Sequence, residues 1–198
     1  MFTDLTKELS INSFVYEGDP KTKVSKIYSI EKDGYELNKL ETSLHTATHL
    51  DFPAHFIKNG KRSHDYNDIN YFTGTVLITE YDKIPRETDK NNFDSVFIKT
   101  KNKEGQLKNY NSINKTDLDF LTNRKLKFVG TDFYTIEPYR SNEFEFHKTL
   151  LKNEILIIEN LNLESVNNGL YEYFIVPLKI YDTEASLCRV LIKNKKNI

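Results

Sequence analysis

Six stretches of the chain run apolar, or alternate apolar with polar, at strand length: Thr75–Tyr81, Ser95–Thr100, Leu126–Val129, Ile155–Ile158, Tyr173–Val176 and Arg189–Ile192. They are rich in β-branched and aromatic residues, which predicts six strands. Helical patterning is sparser. Leu118, Phe120 and Leu121 follow candidate caps at Asn114 and Thr116 and predict one helix; a second, short one is predicted over Glu143–Leu151, stopped by Asn153. The polar stretch Lys101–Asn114, rich in Lys and Asn, reads as a surface loop. Neither a repeat nor a linker interrupts the pattern. Helices interleaved with strands predict an α/β fold with a mixed β-sheet core, and 198 residues suit one domain spanning 1–198.

Charge narrows the function classes. The net charge is −1 and the charges are interspersed, so the basic stripe of a nucleic-acid binder is missing. The Lys-rich end, Lys193 to Lys196, reads as a solvated terminus. No apolar run approaches the roughly 18 residues of a membrane span. The segment from Met1 to Glu8 lacks the apolar core of a secretory signal. The single cysteine, Cys188, excludes an internal disulfide framework and fits a reducing compartment. The expectation is a soluble, cytoplasmic protein with neither nucleic acid nor membrane as partner. Thirteen Phe and twelve Tyr point to an aromatic core.

The chemistry concentrates in the histidines. The chain has five, and three of them fall with an aspartate in one segment, His45-Thr-Ala-Thr-His49-Leu-Asp51-Phe-Pro-Ala-His55. Imidazole nitrogen and carboxylate oxygen together suit a borderline-hard divalent ion. An extended strand advances about 3.3 Å per residue, so His45 and Asp51 can share one ion only if a turn separates the two histidines. His49 and Asp51, two apart, then share a strand face, and Pro53 keeps Phe52 extended. The i, i+4 spacing of His45 and His49 also occurs in helical zinc sites, but the catalytic glutamate of that pattern is missing. A fourth histidine, His147, precedes Glu159 by twelve positions; a helix-borne imidazole and an acid leaving the Ile155–Ile158 strand can converge, although a solvated Glu159 fits the spacing equally well. His64 lies in a polar loop without ligand spacing. Asp132 is open between partnering a ligand histidine and capping a strand end. Cys188 reads as a small core residue.

The pattern His45-x-x-x-His49-x-Asp51-x-Pro53-x-His55 resembles the signature of the cyclase family, which contains bacterial kynurenine formamidase and isatin hydrolase. Asp4-Leu-Thr6, Tyr16-Glu-Gly-Asp-Pro20, Gly130-Thr-Asp132, His147 with Glu159-Asn-Leu161, Pro177-Leu-Lys179 and Arg189-Val-Leu are similar to further family segments, in the same order. The resemblance implies a swivelling β/β/α domain, assembled as a homodimer or homotetramer. It implies two divalent ions; mixed imidazole and carboxylate ligation suits zinc, manganese or ferrous iron, with zinc favoured and manganese next. His45, His49 and Asp51 would hold one, with Asp51 bridging to a second held by His147 and Glu159. It also implies that His55 serves as general acid and base in the hydrolysis of a small-molecule amide, where a histidine that only orients a ligand is the alternative role. Phe14, Tyr16 and Phe56 are candidate substrate-pocket residues, with an ordinary core or surface role as the equal alternative.

Three positions depart from the family pattern. Ala47 stands where the family has glycine, and a left-handed backbone there would cost alanine about 1–2 kcal/mol. Tyr16 stands where kynurenine formamidases tend to carry tryptophan, a residue this chain lacks. Ala185-Ser-Leu-Cys188 replaces a glycine and proline before the late arginine. Two readings of different class follow. One is a metal-dependent hydrolase of an N-formyl arylamine (arylformamidase) or of a small cyclic amide. The other is a metal-binding member of the family without turnover.

Overall fold

A computed structural model describes residues 1–84, 92–141 and 143–195; the end of the Lys-rich tail, from Lys196, lies outside them. The strands are β1 (Thr3–Asp4), β2 (Lys23–Tyr28), β3 (Leu37–Glu41), β4 (His49–Asp51), β5 (Thr73–Glu80), β6 (Ser95–Lys99), β7 (Phe128–Thr131), β8 (Leu156–Glu159), β9 (Gly169–Pro177) and β10 (Ala185–Asn194). The helices are α1 (Ile30–Asp33), α2 (Lys115–Thr122) and α3 (Glu145–Lys152). All six predicted strands and both predicted helices are present, with shifted ends. The strand predicted at Leu126–Val129 starts at Phe128, because Lys125 takes a left-handed backbone (φ 51°) that turns the chain out of α2. Asn114 caps α2 as predicted, its side chain accepting the Asp117 N–H while Asp117 returns the bond.

Eight strands form one sheet in the order β1-β10-β4-β8-β7-β6-β5-β9. Because β10 also pairs with β9, the sheet closes on itself. β5, β6, β7 and β8 run parallel, while β4, β9 and β10 meet their neighbours antiparallel, so the barrel is mixed. Residue alternation divides its two cores. Leu50, Phe97, Phe128, Leu156, Ile158 and Tyr173 fill the interior. Val96, Ile98, Val129 and Ile157 point outward, where Leu118 and Leu121 of α2 and Phe146, Leu150 and Leu151 of α3 cover them. Strands buried on both faces explain the near-continuous apolar runs in the sequence.

β2 and β3 stand apart as a two-stranded hairpin whose residues are all exposed. It leaves the chain just after the Tyr16–Pro20 turn and returns just before His45. Among the described residues, no helix is long and apolar enough to cross a membrane.

Candidate metal centre

The predicted turn lies between the two leading histidines. Ala47 has a left-handed backbone (φ 53°), and its carbonyl lies 2.9 Å from His49 Nδ1. A carbonyl only accepts, so the Nδ1–H donates and the lone pair of neutral His49 sits on Nε2. In β4, Leu50 points into the barrel, which sends His49 and Asp51 to the opposite face. Across the β4–β8 ladder His49 is paired with Glu159, and Ile158 points inward beside it, so Glu159 joins the same outer face. α3 packs over that face and presents His147.

Asp51 is fully buried and lies between two sets of side chains. Its Oδ1 is 3.0 Å from His45 Nδ1 and 3.5 Å from His49 Nε2; its Oδ2 is 3.9 Å from His147 Nε2. Glu159 Oε1 is 3.2 Å from His147 Nε2, and its Oε2 is 3.6 Å from His49 Nε2. The ligand atoms fall into two groups, His45–His49–Asp51 and Asp51–His147–Glu159, and within each group all lie within 4.8 Å of one another. The five predicted ligands therefore converge. Both Asp51 oxygens and His49 Nε2 are buried without a hydrogen-bond partner. Leaving such atoms bare is costly, and a donor set of imidazole nitrogen and carboxylate oxygen fits a divalent cation.

The electrostatics follow from this crowding. Burial alone would depress His45, but the Asp51 carboxylate 3.0 Å away, with Glu159 and Glu184 nearby, raises its pKa to about 9. His147 is likewise carried against its burial, by Glu137 and Glu159, to about 10. Asp51 is held far below the usual carboxylate range: burial opposes this, and the close His45 together with His49 and His55 outweighs it. His55 shifts the other way, below 6.5, because burial and the adjoining His45 and His147 outweigh Asp51 and Glu159.

Beside the two groups lies a cavity of about 200 Å³, lined by His45, His55, His147 and Glu159 and walled with aromatic rings. His55 stacks on His45 with ring centroids 4.2 Å apart and lies 6.0 Å from His147. Its own segment explains its place: a 3-10 turn, Pro53–His55, begins directly after β4. Phe14, Tyr16 and Phe56 all line this cavity. Tyr134 joins them, 4.7 Å from Phe14, and Phe144 packs 5.0 Å from Phe56.

Sequence reasoning missed Tyr134, Phe144, Glu137 and Glu184. Glu184 Oε1 lies 3.3 Å from His45 Nε2. Like Glu159 it adjoins buried strand residues, and that position was its available signal. Glu137 contacts His147 with no spacing that marks it. Of the remaining candidates, His64 stacks on Tyr181 and belongs to neither ligand group. Asp132 accepts the N–H and hydroxyl of Thr100, so it ties strand ends together. Cys188 is buried, which pushes its thiol pKa up and leaves it inert.

Residues 3–138 match the family described as "Putative cyclase". The kynurenine formamidase of Bacillus thuringiensis subsp. konkukian (strain 97-27) is 28% identical over 201 residues, covering 96% of each chain. A solved structure described as a potential metal-dependent hydrolase with cyclase activity is similar at a TM-score of 0.82 and 24% identity, over 100% of this chain and 99% of its own. Isatin hydrolase A from Labrenzia aggregata, bound to benzyl benzoate, is similar at 0.79 and 18%, over 99% and 94%. The two structural likenesses establish the fold. Because the family match spans more than half of the chain and contains the whole His45–His55 segment, this protein belongs to the cyclase family.

Proposed function

We propose that the chain is a metal-dependent amide hydrolase that converts an N-formyl arylamine and water to formate and the arylamine. One observation carries the reading: two ligand groups, joined through the buried Asp51 carboxylate whose oxygens make no hydrogen bond, border an aromatic cavity that also holds His55. His45, His49 and Asp51 would hold one divalent ion, and Asp51, His147 and Glu159 a second; zinc suits the donors first, manganese next. When bound, such ions supply Lewis acidity toward the amide carbonyl and lower the pKa of water toward 7.

The protein's own residues do the rest. Burial and the neighbouring His45 and His147 lower the pKa of His55, which favours its unprotonated form. It accepts a proton from the attacking water and returns it to the departing nitrogen as the C–N bond breaks. Such transfer contributes typically about 10²–10⁴ in rate. Phe14, Tyr16 and Phe56, with Tyr134, form the ring-lined wall on which the aryl group stacks. Tyr16 contributes an aromatic surface to this wall.

We read the barrel as the swivelling β/β/α domain and the protein as cytoplasmic, the latter supported by its one buried cysteine. We read the assembly as a homodimer or homotetramer, supported by the exposed β2–β3 hairpin. The catalytic reading is tested by hydrolysis of N-formylkynurenine and a panel of small cyclic amides, with and without chelator. Chelator should abolish turnover, and His55→Ala should lower kcat about 10²–10⁴-fold. Turnover confined to the cyclic amides reassigns the substrate class. Absence of chelator-sensitive turnover on every compound leaves a metal-binding protein without catalysis.

A further inference from the structure

The loop between β7 and α3 carries a carboxylate whose surroundings have no use in the ligand groups themselves. Glu137 is 3% exposed. Its Oε1 accepts from the His147 backbone N–H at 2.8 Å and faces His147 Nδ1 at 2.9 Å, and its Oε2 accepts from the Ser141 hydroxyl at 2.7 Å. A buried carboxylate is expensive unless it is paired. Among the described residues, the cationic side chain paired with Glu137 is His147. An ionised carboxylate only accepts, so the proton between them belongs to Nδ1 and the other nitrogen, Nε2, faces Asp51 and Glu159. The same loop steadies the next ligand: the Ile136 N–H donates to Glu159 Oε1 at 2.9 Å.

We propose that Glu137 is a positioning residue for the Asp51–His147–Glu159 metal position. It fixes His147 as the Nδ1–H tautomer, and its negative charge strengthens Nε2 as an electron-pair donor. The inference rests on the reading of these three residues as metal ligands. A rival role is structural. His147 lies in the first turn of α3, whose N-cap Phe144 supplies no side-chain acceptor, so Glu137 also caps the helix.

Glu137→Gln separates the two roles. A glutamine carbonyl can accept from both His147 groups while its amide donates to Ser141, so the cap survives and the charge is lost. Glu137→Ala loses both. Full-length protein, stripped of metal and titrated with zinc against a competing chelator, reads the effect; the uptake step removed by His147→Ala identifies the position. Glu137→Gln should weaken that step about 10–100-fold and lower the thermal midpoint of the stripped protein less than Glu137→Ala does, because it loses the charge and keeps the cap. Glu137→Ala should weaken it at least as much and lower the midpoint further, because the bond to the His147 backbone N–H is lost as well. Nitrogen-15 spectra of the zinc-loaded wild type should show His147 protonated at Nδ1. Wild-type zinc affinity in Glu137→Gln, or a zinc-loaded His147 protonated at Nε2, overturns the inference alone. Wild-type protein that takes up neither zinc nor manganese overturns the metal reading, and the inference with it.

Discussion

At the scale of single residues, Ala47 shows how small terms settle a question raised by the sequence. Its left-handed φ of 53° is the conformation glycine adopts freely. Replacing it by glycine relieves about 1–2 kcal/mol of strain. The change also adds about 0.4–1 kcal/mol of unfolded-chain entropy. It uncovers one methyl in a position only 6% exposed, worth about 0.8 kcal/mol. These terms nearly cancel. Ala47→Gly should therefore move the thermal midpoint by no more than a few degrees, as calorimetry would show, and the carbonyl that orients His49 should stay in place. The histidines make a second prediction, on pH. In metal-free protein His45 and His147 titrate near 9 and 10, both raised above 6.5. The stability their pairings give is whole below about pH 6.5 and is lost as pH climbs through those values. Metal binding must displace the same protons, so its affinity should rise from pH 6.5 to 8.5. Manganese titrations in buffers of different ionisation enthalpy would show the accompanying proton release; constant affinity with none released would refute the assignment.

Among the elements, the segment after β4 is the most constrained. Gly60 closes the turn that follows His55: its N–H donates to the Ile57 carbonyl, and a β-carbon there would sit 2.7 Å from Pro53 C and 2.8 Å from Ala54 N. Those are backbone atoms and cannot swing away. Gly60→Ala should cost about 1–3 kcal/mol in urea unfolding and lower kcat by displacing the Pro53–His55 turn; unchanged values for both would show that the turn yields. What the sequence revealed at this scale follows its local signals. The buried strands announced themselves as apolar runs, Asn114 announced α2, and the His-x-x-x-His-x-Asp spacing with Pro53 placed the turn and β4. The β2–β3 hairpin had no such voice, because a sheet exposed on both faces carries no one-sided apolar pattern. Glu137 and Glu184 reach their histidines across ten and 139 positions of chain, and only the fold brings them there.

For the molecule as a whole, barrel closure depends on β10, which touches β1, β4 and β9 at once. Contacts of that separation leave no trace in a local window. Among the described residues, β2 and β3 are the strands outside this ring, with Val24 facing Leu40 and Tyr28 facing Leu37 across them, all in solvent. A lone two-stranded hairpin is marginal in water, so a second copy of the chain is the cover expected for it. Light scattering should find a dimer or larger, and Val24→Lys with Leu40→Lys should yield a smaller species; a wild-type monomer would refute the assembly.

The buried Asp51 carboxylate, shared by both ligand groups on the outer face of the barrel, has a further consequence, one that concerns the protein's lifetime. Ions bound at 1,000 times their dissociation constant add about 4 kcal/mol apiece to the folded state. Where opening is fast relative to cleavage, proteases follow the population of the open form. Cells starved of the right cation should therefore lose this polypeptide to degradation, so that its abundance records the mineral supply even when transcription is constant.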